Sequence, residues 1–358
     1  MGKRINTIVW GSFIIASSLL LSCEETKQRP SVSVYHWKTD FSIAKKETAL
    51  LNKLNSKRIF LRFFDISYNT DEQKPLPIAT LQLSKTDSIP SQEIVPVVYI
   101  TNEVFRRTTD SAAIRRLAKA TMDKIGRLKN KYFKNGQAIK EIQMDCDWTE
   151  STKIAYFQFL QELKKQETFI KLGKEIHVDA TLEISATVRL HQIKYREKTG
   201  VPPIDKAILM CYNVGELKNV NESNSILNIE TAASYLGRLN EYPLPFDIAL
   251  PYYGWGALYR DGTFAGILNE LTETKRIENF EKTAKEGVFK ATSDTYINKT
   301  FVYKNDILRW ETVTPENLKA LMVLIRDATT RKYSLILYHL NSTELENQDI
   351  DALLEILY

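Results

Sequence analysis

The stretch Glu141-Ile142-Gln143-Met144-Asp145-Cys146-Asp147-Trp148 alternates strictly: Ile142, Met144, Cys146 and Trp148 share one parity, and Gln143, Asp145 and Asp147 the other. Period two is the pattern of a β-strand with two unlike faces. In an isolated, half-exposed sheet the polar face would simply meet water. In a barrel covered by helices, the apolar parity packs outward on those helices and the carboxylates point inward. Burying charge there is costly and needs a compensating reason.

Other short apolar segments recur along the chain at 32–38, 58–67, 94–102, 175–183, 206–213, 246–253 and 333–340. Between most of them apolar residues fall at three- and four-residue spacing, as in Ile114, Leu117, Ala118, Thr121, Met122, Ile125 and Leu128. Eight strands alternating with helices predict one parallel (β/α)8 barrel over 32–358. The region 254–311 breaks the rhythm, with Asp261-Gly262 as a turn between short strands, and reads as an insertion after the seventh strand. A doubly wound open sheet is the alternative, yet no strand runs into a glycine-rich phosphate turn. Within 175–183, Ile176, Val178, Ala180 and Leu182 alternate with His177, Asp179, Thr181 and Glu183, so this segment is expected to aim polar groups at the same place as Asp145 and Asp147. Barrel enzymes carry their chemistry at the C-terminal ends of the strands.

The chain has 358 residues and a formal net charge of +5, with 43% hydrophobic and 26% charged residues. These are ordinary globular proportions, which exclude a disordered chain or a multi-spanning membrane protein. Lysines and arginines are scattered among acids, which argues against a nucleic-acid surface. Cys146 and Cys211 lie on the apolar parity of strands four and six, two strand spacings or roughly 9.6 Å apart, too far for a disulfide. Both are expected to be free and buried. His36 and His339 fall on the first and last strands and become neighbours if the barrel closes, but no third ligand accompanies them and no metal is expected. Neither a Gly-x-Ser-x-Gly elbow nor a His-Glu-x-x-His helix occurs, and no cofactor is implied.

At the N-terminus, Lys3 and Arg4 precede an apolar stretch from Ile5 to Leu21 that ends Leu20-Leu21-Ser22-Cys23. This layout is that of a signal peptide, and its end resembles the lipobox of bacterial lipoproteins. The resemblance implies that residues 1–22 are removed and that Cys23 carries the lipid, palmitate included. Residues 23–31 then form a polar tether to a protein anchored in the cell envelope. The acidic pair Glu24-Glu25 fits placement at the outer membrane.

The set of strand ends resembles the chitinase-like glycoside hydrolases, a family that also has non-catalytic sugar-binding relatives. Its fourth strand ends in D-x-x-D-x-D-x-E, and here the strand ends Asp145-Cys146-Asp147-Trp148-Thr149. Its sixth ends in Met-x-Tyr-Asp/Asn, matched by Met210-Cys211-Tyr212-Asn213, and its seventh in Pro-x-Tyr-Gly, matched by Pro251-Tyr252-Tyr253-Gly254. The resemblance spans the architecture from Val32 to Leu340 and about a dozen motif residues. A second likeness is to an uncharacterised barrel family that carries D-x-D without the glutamate. The chitinase resemblance implies a glycan ligand, with His36, Trp37, Tyr99, Met210, Tyr212, Asn213, Tyr252, Tyr253 and Trp255 as candidate contacts. The departure is at Thr149, which stands where the family has its acid glutamate, and a threonine cannot protonate a leaving group near neutral pH. Catalysis, if retained, would fall to Asp145, Asp147 and Glu183. The alternatives are a polar network of Asp145 and Asp147 with Arg62 or Lys206, and a lipoprotein that uses the barrel only as a scaffold.

Overall fold

Eight parallel strands close into a ring: Val32–His36, Arg58–Asn69, Glu93–Ile100, Glu141–Asp145, Glu183–Arg189, Lys206–Met210, Phe246–Pro251 and Leu335–Tyr338. Each pairs with the next in sequence among these eight, and the first pairs with the last through Val32 and Leu335. This computed structural model describes Gly2 and residues 32–83, 91–133, 137–176, 181–269, 271–340 and 350–357. The signal peptide, Cys23 and the tether lie outside the described residues. Helices such as Ser111–Tyr132 and Lys153–Lys164 cover the outside of the ring. Ser111–Tyr132 buries the stripe Ile114, Leu117, Ala118, Thr121, Met122, Ile125 and Leu128, as its period requires, and Asp110 caps its start by accepting from the Ala113 amide. Among the described residues no helix is long and apolar enough to cross a membrane.

The fifth strand corrects the sequence reading. It runs Glu183–Arg189, beginning where the expected segment 175–183 ends, and the helix Glu167–Lys174 stops just before that segment. Residues 177–180 lie outside the described set. Glu-Ile-Ser-Ala-Thr-Val-Arg has its own period two, and pairing of Ile142 with Ile184 and Gln143 with Ser185 sets its register. Ser185, Thr187 and Arg189 therefore face inward.

The same register places Glu183 beside Glu141, at the N-terminal end of the barrel. There Arg58 and Lys206 each donate to Glu141 at 2.8 Å and each approach Asp247 at 3.2 Å. Two cations thus alternate with two carboxylates across a closed floor. Each of the two buried carboxylates has opposite charges beside it, which offsets the cost of taking it out of water. Lys206 belongs here and not with Asp145.

The insertion begins at Trp255–Arg260 and ends at Ile307–Glu311. It forms a five-stranded antiparallel sheet and a two-stranded hairpin, Thr295–Ile297 with Thr300–Val302. Leu258, Leu268, Phe280, Phe289, Val302 and Leu308 give it a core of its own. It is tied to the barrel through Glu311, fully buried, which accepts from the Ser225 amide and hydroxyl and from Trp255 Nε1 at 3.0 Å. Cys146 and Cys211 are both buried with free thiols, as strand parity predicts.

Candidate functional site

At the C-terminal mouth of the barrel the inward-facing residues Asp65, Tyr99 and Asp145 stand side by side in register. Thr187 lies next to them and donates to Asp145 Oδ1 at 2.6 Å. The presence of Asp65 in this ring needs explanation, because strict alternation would put it opposite in face to Arg62. The register with the third strand shifts between Arg62 and Phe64, a bulge that absorbs one residue and turns Asp65 inward as well. Arg62 then grips both oxygens of Asp65 and donates to the Trp37 carbonyl at 3.1 Å.

A second fork closes on Asp147. Arg189 donates from Nε and Nη2 to its two oxygens at 2.5 and 2.6 Å, which is the bidentate geometry that makes arginine–carboxylate pairs strong and directional. Asp145 has no such cation of its own. Burial, then the neighbouring charge of Asp147, raise its pKa to about 7, against the opposing pull of the Thr187 hydroxyl and Arg189. Asp65 and Asp147 each pair with an arginine, and Asp145 keeps a proton near neutrality. The carboxylates of the D-x-D motif therefore join a polar network, with Arg189 in the place expected for Arg62 or Lys206.

Beside this layer lies an aromatic wall centred on Tyr338. Its ring stacks on Tyr212 at 5.0 Å between centroids and meets Tyr35, Trp37 and Tyr253 at 5.4, 5.4 and 5.5 Å. Tyr35 donates to Gln143 Oε1 at 2.9 Å, and Tyr253 to Asn213 Oδ1 at 2.6 Å, so the hydroxyls fix the rings. A cleft of about 630 Å³ opens over these rings, between the mouth and the insertion. It is lined by Trp37, Lys38, Tyr253, Gly254, Trp255, Asn269, Asn298, Lys299, Tyr338 and His339.

Of the residues singled out in the sequence, Trp37, Tyr253 and Trp255 line the cleft, Tyr212 and Asn213 hold its rings, and Tyr99 sits between Asp65 and Asp145. Met210 pairs in register with Arg189 and faces the same interior. His36 is a correction. Its strand parity turns it away from the mouth onto Phe41, at 4.8 Å between rings, with Nε2 on the Ser42 carbonyl. Tyr252, of opposite parity to Tyr253, is likewise buried and does not line the cleft. Glu183 is at the far end of the barrel from Asp145 and Asp147, because it begins its strand and they end theirs. It cannot act on the same bond. Thr149 is exposed and sits in the turn before Lys153–Lys164, its hydroxyl within reach of Ser151 and Thr152.

Sequence reasoning missed Arg189, Asp65 and Tyr338. The alternation of 183–189 carried a signal for the first, while the bulge that aims Asp65 left none. Among the described residues no group of three or more His, Cys, Asp or Glu side chains is placed to hold a metal ion.

No family model and no curated protein matches the chain. Solved structures do match. A chitinase from Chromobacterium violaceum ATCC 12472 superposes with a TM-score of 0.50 at 12% identity, covering 92% of this chain and 98% of its own. A mutant plant class V chitinase from Cycas revoluta, in complex with (GlcNAc)3, gives 0.51 at 13% identity, covering 91% and 98%. The likeness is one of fold: a closed eight-stranded parallel barrel of the kind found in chitinase-like glycoside hydrolases.

Proposed function

We propose that the barrel mouth is a saccharide-binding site, carried at the cell envelope, at the outer membrane, by a lipid on Cys23. The observation that carries the first part is the cleft: Trp37, Tyr253, Trp255 and Tyr338 give it an aromatic lining of the kind on which sugar C–H surfaces pack, and Asn269 and Asn298 stand beside them as hydroxyl partners. That the Cycas revoluta chitinase was solved with (GlcNAc)3 supports the reading. The second part rests on the lipobox-like Leu20-Leu21-Ser22-Cys23.

Binding is favoured over hydrolysis. Glycoside cleavage ordinarily needs an acid and a separate base or nucleophile. Asp145 has the raised pKa of an acid, but both oxygens of Asp147 are taken by Arg189, and the exposed Thr149 offers no carboxyl. The competing reading, a scaffold that binds no glycan, draws support from that same saturation of the carboxylates. A glycan array probed with the purified protein, followed by calorimetry on Trp37→Ala and Trp255→Ala, separates the two. The site reading expects at least one glycan bound and affinity reduced by about fivefold or more in each variant, which corresponds to a loss of about 1 kcal/mol or more of ring contact. An intact fold with no glycan bound would count against it. Palmitate labelling of Cys23→Ala tests the anchor, and label retained in that variant would remove Cys23 from the assignment.

A further inference from the structure

The charged side chains on the described lining of the cleft are both lysines, Lys38 and Lys299, and no carboxylate lines it among the described residues. Of the acids at the mouth, Asp65 is closed on by Arg62 and Asp147 by Arg189, while Asp145 accepts from the Thr187 hydroxyl. A third cation stands behind the rim, where Lys275 Nζ donates to Asn298 Oδ1 at 2.8 Å. The ligand therefore meets positive charge at the rim and no negative charge in the described lining.

The backbone at Lys299 is a separate observation. The hairpin Thr295–Ile297 to Thr300–Val302 turns through two residues only, Asn298 at φ 47° and Lys299 at φ 68°. Two successive positive φ values are the geometry of the favoured two-residue hairpin turn, in which asparagine followed by glycine is the preferred pair. Here a lysine occupies the glycine position, where its Cβ is unfavourable. Asn298 is pinned to the neighbouring strand by donating to the Asn269 carbonyl at 2.7 Å, so the turn is held over the cleft with the lysine on its lining. A strained residue kept where a smaller one fits better invites a functional reason.

We propose that the cleft takes a saccharide bearing an anionic group, a uronate carboxylate or a sulfate, whose charge is met by Lys299. This rests on the saccharide-binding reading above and narrows its substrate class. Charge complementarity of this kind sets which partner is accepted and weakens as salt screens it.

Calorimetry on the purified full chain with three probes tests it: a galacturonic acid hexasaccharide, a sulfated hexasaccharide, and the neutral hexamer of N-acetylglucosamine. At low salt at least one anionic probe should bind about tenfold more tightly than the neutral one, with the margin shrinking at about 0.5 M NaCl. The better of the two anionic probes identifies the group. Lys299→Gly should bring the ratio of anionic to neutral affinity down by about three- to tenfold while leaving the thermal midpoint unchanged or higher, because glycine suits the turn. A variant that merely damaged the fold would lower the midpoint instead. A neutral hexamer bound as tightly as both anionic probes, or a ratio unmoved in Lys299→Gly, would overturn the anionic class and leave the saccharide site standing. Failure of all three probes, with the array also blank, would remove both.

Discussion

Replacing Asp145 by asparagine should make the protein more stable above neutral pH and leave it nearly unchanged in acid. In the folded chain the carboxyl holds its proton up to about pH 7, whereas its ordinary value is 3.8. Between those values the folded state binds a proton that the unfolded state has released. The stability tied to that proton is therefore fully present below the unfolded pKa and is lost as pH rises through the folded one. About three pH units at about 1.4 kcal/mol each give a penalty of roughly 4 kcal/mol at its largest. Asparagine mimics the protonated acid, since its Oδ1 can still accept from Thr187, and it pays no such penalty. Urea unfolding of both proteins from about pH 4 to about pH 8 should show a stability difference near zero at the acid end. The difference should rise in favour of the variant at up to about 1.4 kcal/mol per pH unit and level off above about pH 7. A flat difference, or a variant that loses ground as pH rises, would show that Asp145 is ionised in the mouth and stabilised by Arg189, and the argument for a neutral acid there would fail.

Two further expectations follow from the barrel itself. Glu141→Ala removes the carboxylate that receives both Arg58 and Lys206 on the barrel floor, so Asp247 is left to balance two partly buried cations. Urea denaturation should show a loss of about 3–5 kcal/mol, and a loss below about 1 kcal/mol would mean that the floor is solvated. Alkylation of the unfolded, unreduced chain followed by peptide mapping should find the Cys146 and Cys211 thiols both modified. A bridged pair would contradict a strand order that puts Glu183–Arg189 between them.

The sequence by itself determined what local periodicity can determine. Alternation in 141–148 set Asp145 and Cys146 on opposite faces, because successive side chains on any strand must diverge. Eight apolar segments between helical patterns were enough for the closed parallel barrel, and the break in rhythm after 253 located the insertion. The fifth strand shows the limit. Segments 175–183 and 183–189 both alternate, and the choice between them came from pairing with Ile142 and Gln143, which is not local. With that strand moved, Arg189 arrives at Asp147, and Glu183 goes to the opposite end of the barrel. The inward turn of Asp65 depends on a bulge that no residue type announces. The raised pKa of Asp145 comes first from burial, which no local pattern gives, and then from Asp147 two residues along the same segment, and the cleft exists because a hairpin some 260 residues after Trp37 carries Asn298 and Lys299 over it. Periodicity is a property of neighbours in the chain and can be read there. Ion pairing, desolvation and cavity shape depend on distances between remote residues, so only the closed tertiary structure decided them.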